Sequence, residues 1–206
     1  MIYVSCMAQA QLIEYLKKKD DVTVISPSDL VYPEISSHPD IFMCRIGDEV
    51  IHCTKEEIGF SYPENIAFNA ACTGKYFIHN IKHTAPRLLS AAKDKGMEII
   101  HVKQGYSKCS IAVIDETSLI TEDEGIKKSL APYPVDVLMI SKGHVRLEGF
   151  DFGFIGGTCG RVGNEIVFNG DISSHPDYKD IKEFIEKRGL EIKYFDYPLS
   201  DIGSIL

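Results

Sequence analysis

The sequence predicts an α/β protein built from a repeated unit, which consists of a β-hairpin, a helix and a further strand. Pairs of short apolar segments flank tight turns, which is the pattern of β-hairpins. Segments with helical spacing of apolar residues recur along the chain, and a short apolar run typical of a strand follows each of them. The unit recurs at a spacing of about 40 residues. We therefore expect a single domain over residues 1–206.

Four hairpins are predicted from paired β segments around short polar turns. Each consists of a strand, a turn and a second strand that ends in an apolar and then a polar residue. Glycine, asparagine and aspartate favour such turns because they tolerate the backbone angles required. The predicted turns are Gly47-Asp48, Thr73-Gly74, Asp115-Glu116 and Gly163-Asn164.

Four helices are predicted, each followed by a strand. Their expected ranges are about 8–18, 85–95, 121–130 and 175–188. Thr84 is the expected N-cap of the second helix, and the residues from Thr121 to Glu124 form a capping box for the third. Gly96 and Gly189 are expected to end the second and fourth helices. The strands after the four helices are "VTVIS", "MEIIHV", "VDVLMI" and "LEIKYF".

These elements predict five units. Residues 67–102, 109–140 and 151–195 form complete units, and residues 41–66 form a hairpin without its helix. The fifth unit is split, because residues 2–26 supply a strand, a helix and a strand, while the C-terminal "DIGSIL" supplies the missing first strand. The predicted fold is therefore a five-fold pseudosymmetric ββαβ propeller, with one unit lacking its helix and one closed by the two terminal strands.

Composition excludes several classes of function. The net charge of -8 and the absence of a basic run argue against binding to nucleic acid. No segment has the roughly 20 apolar residues of a membrane span, and the first residues lack the charged start and apolar run of a signal peptide. We expect a cytoplasmic protein that does not associate with membranes.

The cysteines and histidines predict neither a metal site nor a cofactor. The six cysteines are widely spaced without a CxxC pair, which argues against a zinc ribbon or a disulfide framework. His79 and His83 have i, i+4 spacing, but His79 ends a strand, so we expect two polar loop histidines. The stretch "SSHPD" occurs twice, and His38 and His175 within it are expected to lie in surface turns. The glycine-rich "GGTCGRVG" precedes a strand, whereas nucleotide-binding loops precede a helix.

The stretches "NAACTGKYFIHN", "VKQGYSKCSIAVIDE", "GFDFGFIGGTCG" and "SDIGSI" resemble those of a small uncharacterised bacterial family in the pentein superfold. This is the α/β-propeller fold of guanidine-modifying enzymes such as arginine deiminase and the amidinotransferases. The resemblance covers nearly the whole chain from about Ser36. It implies a central funnel in which the repeats converge and a ligand binds.

The resemblance also implies which residues line this funnel. The segments expected there are those that lead into the first strand of each unit, and they concentrate small and polar residues. Glycines allow a close approach of the backbone to a ligand, and convergent polar groups are typical of small-molecule pockets. The expected ligand-binding residues are Asn69, Cys72, Lys108, Ser110, Gly156, Gly157, Thr158 and Asp201.

The resemblance further implies a cysteine nucleophile near the C-terminus and a histidine in a GxxHLK-like segment. This chain has Lys108 and Cys109 in that segment instead, and no cysteine after Cys159.

Two hypotheses follow. In the first, the funnel binds a small polar ligand of guanidino or amide type without turnover. In the second, a relocated nucleophile, Cys109 or Cys159, serves a hydrolase or amidinotransferase that acts on a small guanidino compound, with Lys108 or Arg161 lowering the thiol pKa. A homodimer that covers the surface left by the missing helix is compatible with both.

Overall fold

The computed structural model describes residues 1–206 and contains thirteen strands and six α-helices. The helices are α1 Ala10–Lys17, α2 Pro39–Phe42, α3 Pro86–Asp94, α4 Ser107–Ser110, α5 Glu124–Leu130 and α6 Tyr178–Glu186. The strands are β1 Ile2–Ser5, β2 Val22–Ile25, β3 Met43–Ile46, β4 Glu49–His52, β5 Ala71–Cys72, β6 Tyr76–His79, β7 Glu98–His101, β8 Ile111–Asp115, β9 Ser118–Thr121, β10 Asp136–Met139, β11 Cys159–Val162, β12 Glu165–Phe168 and β13 Glu191–Lys193.

The strands form five small sheets. Three sheets, β5-β6-β7, β8-β9-β10 and β11-β12-β13, have the same pattern, in which an antiparallel hairpin is joined by a parallel third strand. A helix connects the second and third strands of each, because parallel neighbours need a crossover. The other two sheets are smaller: β3 and β4 form a hairpin, and β1 pairs in parallel with β2.

The hydrophobic core is divided into clusters that join neighbouring sheets. In one cluster, Ile46 of β3 lies with Phe77 of β6 and with Leu88 of α3. In another, Ile120 of β9 lies with Ile166 of β12, and all five of these side chains are buried. Burial of a large aliphatic or aromatic side chain contributes about 1.5–3 kcal/mol. These buried clusters therefore hold neighbouring sheets together.

Much of the predicted element order is confirmed. Three hairpins turn at the predicted positions and the β8-β9 hairpin turns one residue later, at Glu116-Thr117, while β2, β7, β10 and β13 lie within the four predicted strand sequences. Gly96 and Gly189 follow α3 and α6, each with a φ of 70°. No α-helix lies between β4 and β5, which agrees with the expected unit without a helix.

The predicted helix starts are wrong in three places. Thr84 does not cap α3, because its hydroxyl hydrogen-bonds to His79 Nδ1 at 2.7 Å. Asp123, rather than Thr121, caps α5 by accepting a bond from Ile126 N at 2.9 Å. The fourth helix starts at Tyr178, three residues later than expected. Each prediction rested on residue spacing, and several nearby side chains can serve the same capping role.

The segments that lead into β8 and β11 are helical rather than extended. Residues 107–110 form α4, and residues 155–158 form a 3₁₀ turn. The strand expected from Ile41 begins only at Met43, after the short helix α2. A single helical turn is too short to have a readable apolar period, so these segments could not be told from strand starts in the sequence.

The C-terminal segment lies beside the first strand. Tyr3 N donates to Leu206 O at 2.7 Å, and Leu206 N donates to Tyr3 O at 3.1 Å. This one residue pair makes the backbone hydrogen bonds between the segment and β1, while Ile202 and Ile205 pack in one apolar cluster with Ile2 and Val4, and residues 201–206 contain no strand. None of the helices has the length and apolar composition that a membrane span requires.

Candidate functional site

The main candidate site is a cavity of about 300 Å³, which we call the aromatic cavity. Phe150 and Phe152 are partly exposed at its mouth, whereas the polar residues at its inner end are buried. A largely apolar cavity with a few polar groups at one end is typical of small-molecule sites. Its lining residues are Tyr32, Ile35, His38, Tyr106, Cys109, Leu147, Phe150, Asp151, Phe152, Phe154 and Asp201.

At the inner end, Asp40 links two side chains that are distant in sequence. Cys109 Sγ donates to Asp40 Oδ2 at 3.0 Å, and Ser204 Oγ lies 2.7 Å from the same oxygen. Lys108 Nζ donates to Ser204 Oγ at 2.8 Å and to Gly156 O at 3.3 Å. Four chain segments therefore meet around one buried carboxylate.

Asn69 fixes α4 against this network. Its Oδ1 accepts from Lys108 N at 2.9 Å, and its Nδ2 lies 3.3 Å from Cys109 Sγ and 3.2 Å from Asp40 O. Asn69 is fully buried, so these bonds replace the water contacts that its amide loses on folding. The side chain thereby sets the position of the Cys109 thiol.

Asp201 lies at the inner end of the aromatic cavity and is held by backbone amides. Its Oδ2 accepts from Phe154 N at 3.0 Å, and its Oδ1 accepts from Gly203 N at 3.0 Å. Gly157 makes room for it, because a Cβ on Gly157 would lie 2.0 Å from Asp201 Oδ1. A Cβ on Gly156 would lie 2.3 Å from Ile111 O. Gly157 thus lets the 3₁₀ turn pack against the C-terminal segment, and Gly156 lets it pack against α4 and the start of β8.

Burial shifts the protonation equilibria of the inner residues towards their neutral forms. It raises the pKa of Asp201 to about 6 and also raises the pKa of Asp40. It lowers the pKa of His38 to about 4, so the imidazole is neutral near pH 7. Burial, together with the charges of Asp40 and Asp201, raises the pKa of Cys109 well above its usual value. Cys109 is therefore a thiol that donates a hydrogen bond to Asp40.

The structure brings five of the predicted ligand-binding residues to this region: Asn69, Lys108, Gly156, Gly157 and Asp201. Thr158 and Ser110 are buried behind it, and Thr158 Oγ1 donates to its own turn at Ile155 O. Of the two predicted nucleophiles, Cys109 lines the aromatic cavity and Cys159 does not.

Cys72 and Cys159 line a second cavity of about 250 Å³. Cys72 Sγ lies 3.6 Å from Cys44 Sγ. Cys159 Sγ is 3.7 Å from Ile155 O, and burial raises its pKa to about 11. Cys72 and Cys159 therefore line a different cavity from Cys109. The Lys108 side chain borders this second cavity, while its Nζ reaches the carboxylate network.

The surface positions expected for the histidines are wrong for three of four. His38 is 2% exposed and His175 is 4% exposed, since distant segments cover both "SSHPD" turns. His79 is fully buried between Thr84 and Gly105 O, whereas His83 is exposed. Turn-forming residues predict local backbone shape, and they carry no information on what packs over the turn.

Asp40 was not among the predicted site residues, and Ser204 was expected only as part of the segment from Asp201 to Ser204 that leads into the funnel. Asp40 belongs to the first "SSHPD", which has ordinary turn chemistry. Ser204 has a φ of 73° and is the only non-glycine residue with positive φ. Such strained backbone is frequent at functional sites. No sequence signal identifies it, because serine is not a residue that favours this conformation.

Comparisons with known proteins identify the fold. The chain resembles the structure of dimethylarginine dimethylaminohydrolase in an adduct with S-methyl-L-thiocitrulline, at 12% identity and a TM-score of 0.57, covering 95% of this chain and 91% of that one. It also resembles the product-bound N-terminal domain of ArgZ, a cyanobacterial arginine dihydrolase, at 11% identity and a TM-score of 0.55, covering 95% and 90%. The fold is that of the pentein superfamily. No protein of curated function matches the sequence, while residues 49–206 match a family of unknown function, DUF6873.

Proposed function

This chain belongs to the DUF6873 family of unknown function, and from that premise and its pentein fold we propose that it binds a small organic cation of guanidino type in the aromatic cavity. The proposal includes the arrangement of the five sheets as a ring, with the aromatic cavity in its central funnel. The homodimer and the cytoplasmic location stay predictions.

One observation carries the proposal: a buried carboxylate, Asp201, lies at the end of an apolar cavity whose walls include five Tyr and Phe side chains. No arginine or lysine lies within ion-pair distance of Asp201: the charge of Lys108 lowers its pKa only from further away, and the basic group within 4 Å is His38, whose Nδ1 lies 3.8 Å away. With its lowered pKa, His38 brings no positive charge near pH 7. A bound cation would supply the missing countercharge.

The aromatic walls suit the same ligand. Tyr32, Tyr106 and Phe154 line the same cavity as Asp201. Ring faces attract ammonium and guanidinium groups, and the attraction strengthens where water is excluded. The two similar structures support the guanidino class, since the name of one contains dimethylarginine and that of the other contains arginine. Asp151 at the cavity mouth adds a second carboxylate, which is exposed.

Isothermal titration calorimetry with methylguanidine and its neutral isostere methylurea tests the proposal. The two ligands have nearly the same shape, so their difference in affinity measures the contribution of charge. We expect methylguanidine to bind the reduced full chain about tenfold or more tightly than methylurea, a difference of about 1.4 kcal/mol or more. Equal affinities, or no binding of either ligand at millimolar concentration, would contradict the proposal.

A matched pair of variants locates the site. Asp201→Asn removes the buried charge, and Asp151→Asn removes an equal charge from the mouth of the same cavity. We expect D201N to abolish the preference for methylguanidine and D151N to reduce it by less than about threefold, because an exposed charge is screened by water. A larger loss in D151N than in D201N would place the cation elsewhere. The preference of the unmodified chain tests the proposal even if D201N does not fold.

A cysteine-dependent hydrolase or amidinotransferase is the second candidate function, and the position of Cys109 favours it. Its thiol lines the aromatic cavity and lies 3.0 Å from Asp40 Oδ2, which can accept the thiol proton. The thiolate would attack the guanidinium carbon, the amine would leave with a proton, and water would release the product. With methylguanidine the products would be methylurea and ammonium. Steady ammonium release that is lost in Cys109→Ser would support catalysis, and its absence in the unmodified chain would leave binding alone.

A further inference from the structure

We infer that His38, Asp40 and Cys109 form a binding site for one zinc-class divalent metal ion at the inner end of the aromatic cavity. This inference goes beyond the proposed function, and it rests on a different set of atoms. One candidate ligand atom from each residue lies within 4.8 Å of the others. All three residues are buried, with exposures of 2%, 1% and 4%.

The distances are close to those of a coordinated metal ion. Zinc–ligand bonds of about 2.0–2.3 Å in a tetrahedron place the ligand atoms about 3.3–3.8 Å apart. Cys109 Sγ lies 3.0 Å from Oδ2 of the Asp40 carboxylate, and one candidate ligand atom of each residue lies within 4.8 Å of the others, so metal binding through Oδ1 needs side-chain shifts of about 1–1.5 Å. A rotation of the His38 ring about its side-chain bonds can supply a movement of this size.

Two atoms of the cluster lack hydrogen-bond partners. His38 Nδ1 and Asp40 Oδ1 are buried and make no hydrogen bond. Buried polar atoms without partners are costly and uncommon, so each such atom in a native protein calls for an explanation. A metal ion that accepts the lone pairs of both atoms would satisfy them together. The other Asp40 oxygen keeps its bond to Ser204.

The donor set selects the class of metal. An imidazole nitrogen, a carboxylate oxygen and a thiolate sulfur favour a borderline ion such as Zn²⁺ over Mg²⁺ or Ca²⁺, which prefer oxygen ligands. Three protein ligands leave one coordination position open, as in catalytic rather than structural zinc sites. His38 and Cys109 both line the aromatic cavity, so the open position would face it.

The surrounding side chains support the ligands. The Asn69 amide lies 3.3 Å from Cys109 Sγ, and Ser204 binds the Asp40 carboxylate, as outer-shell partners of metal ligands do. Binding requires that the Cys109 thiol loses its proton to solvent while the sulfur forms a bond to the metal, and no electrons are transferred. A divalent ion here would also be attracted by the negative charge of Asp201, the carboxylate proposed to bind the organic cation. Metal and organic cation should therefore weaken each other's binding.

Cobalt and zinc titrations of the reduced full chain test the inference. Co²⁺ reports its own ligands, because a thiolate-to-cobalt charge-transfer band appears in the near ultraviolet only when sulfur is coordinated. Zn²⁺ affinity is measured by competition with a chromogenic chelator. We expect one Zn²⁺ per chain and a charge-transfer band with Co²⁺. Their absence would overturn the inference.

Cys109→Ser and Cys159→Ser form a matched pair, since both thiols are buried and only Cys109 lies beside His38 and Asp40. We expect C109S to lose the cobalt band and about tenfold or more in Zn²⁺ affinity, and C159S to retain both. A band that persists in C109S and disappears in C159S would place the metal in the second cavity and overturn the inference.

His38→Gln provides a second variant in case C109S does not fold. It should lower Zn²⁺ affinity about tenfold while the thiolate band remains at saturating Co²⁺. Unchanged Zn²⁺ affinity in H38Q would overturn the inference. Methylguanidine titrations in the presence of a chelator are independent of the metal, so the failure of either idea can be recognised separately.

Discussion

Glu122 offers a direct test of how burial controls charge next to the aromatic cavity. Its side chain lines a third cavity with Phe152 and Phe154, and neither of its carboxylate oxygens makes a hydrogen bond of regular geometry. Burial raises its pKa from 4.5 to about 7 against the lowering effect of the nearby Ile155 backbone amide; the charges of Asp201 and Asp123 also raise it, and Lys142 opposes them. The folded chain therefore holds a proton on Glu122 under conditions in which the unfolded chain has released it.

The sign of the effect on stability follows from this proton. Below pH 4.5 both states bind it, and between pH 4.5 and 7 only the folded state does, so the free energy of unfolding contributed by Glu122 falls as pH rises through this window. Above pH 7 this contribution of Glu122 to the free energy of unfolding is completely lost. The difference between 4.5 and about 7 corresponds to at most about 3.4 kcal/mol. Because the side chain is partly exposed, solvent screening reduces this to roughly 1–2 kcal/mol.

Glu122→Gln removes the ionisable group while keeping its shape. We expect E122Q to raise the free energy of unfolding at pH 8 by about 1–2 kcal/mol, and to leave it nearly unchanged at pH 4.5. Urea unfolding followed by circular dichroism at pH 4.5, 6, 7 and 8 measures both values. Glu124→Gln, an equal change of charge at an exposed neighbouring position, is the control. If E122Q and E124Q show the same dependence on pH, the assigned pKa of Glu122 is wrong.

Two further predictions concern packing and thiol exposure. Gly157→Ala places a Cβ against the Asp201 carboxylate, so we expect it to lower the free energy of unfolding, measured in urea, by about 2–4 kcal/mol. A decrease below about 0.5 kcal/mol would show that the close approach is absent. Cys6 is the exposed thiol of the chain, whereas Cys109 is buried with a raised pKa. Ellman's reagent should therefore label Cys6 first, and Cys109 should react only on unfolding. Fast labelling of Cys109 in the native chain, identified by peptide mass, would contradict its assignment as a neutral thiol.

Local sequence was sufficient to predict most of the secondary structure. The turn at Gly47-Asp48 and the strand "MEIIHV" lie where they were expected, because turn chemistry and apolar runs act over a few residues. The helix starts were less predictable. At Thr84, a buried histidine five residues earlier engages the hydroxyl that was expected to cap the helix. The pentein fold was also accessible from the sequence, since short motifs across the whole chain resemble that superfamily.

By itself, the sequence determined the hairpins, the strands after the helices and a set of small polar residues that includes Asn69 and Asp201. Only the tertiary structure decided that Asp40 belongs with Cys109 and Ser204, which are 69 and 164 residues away along the chain. The physical reason is that turn and periodicity patterns describe the backbone within a few residues. Burial, unsatisfied polar atoms and shifted pKa values depend on which distant segments pack together.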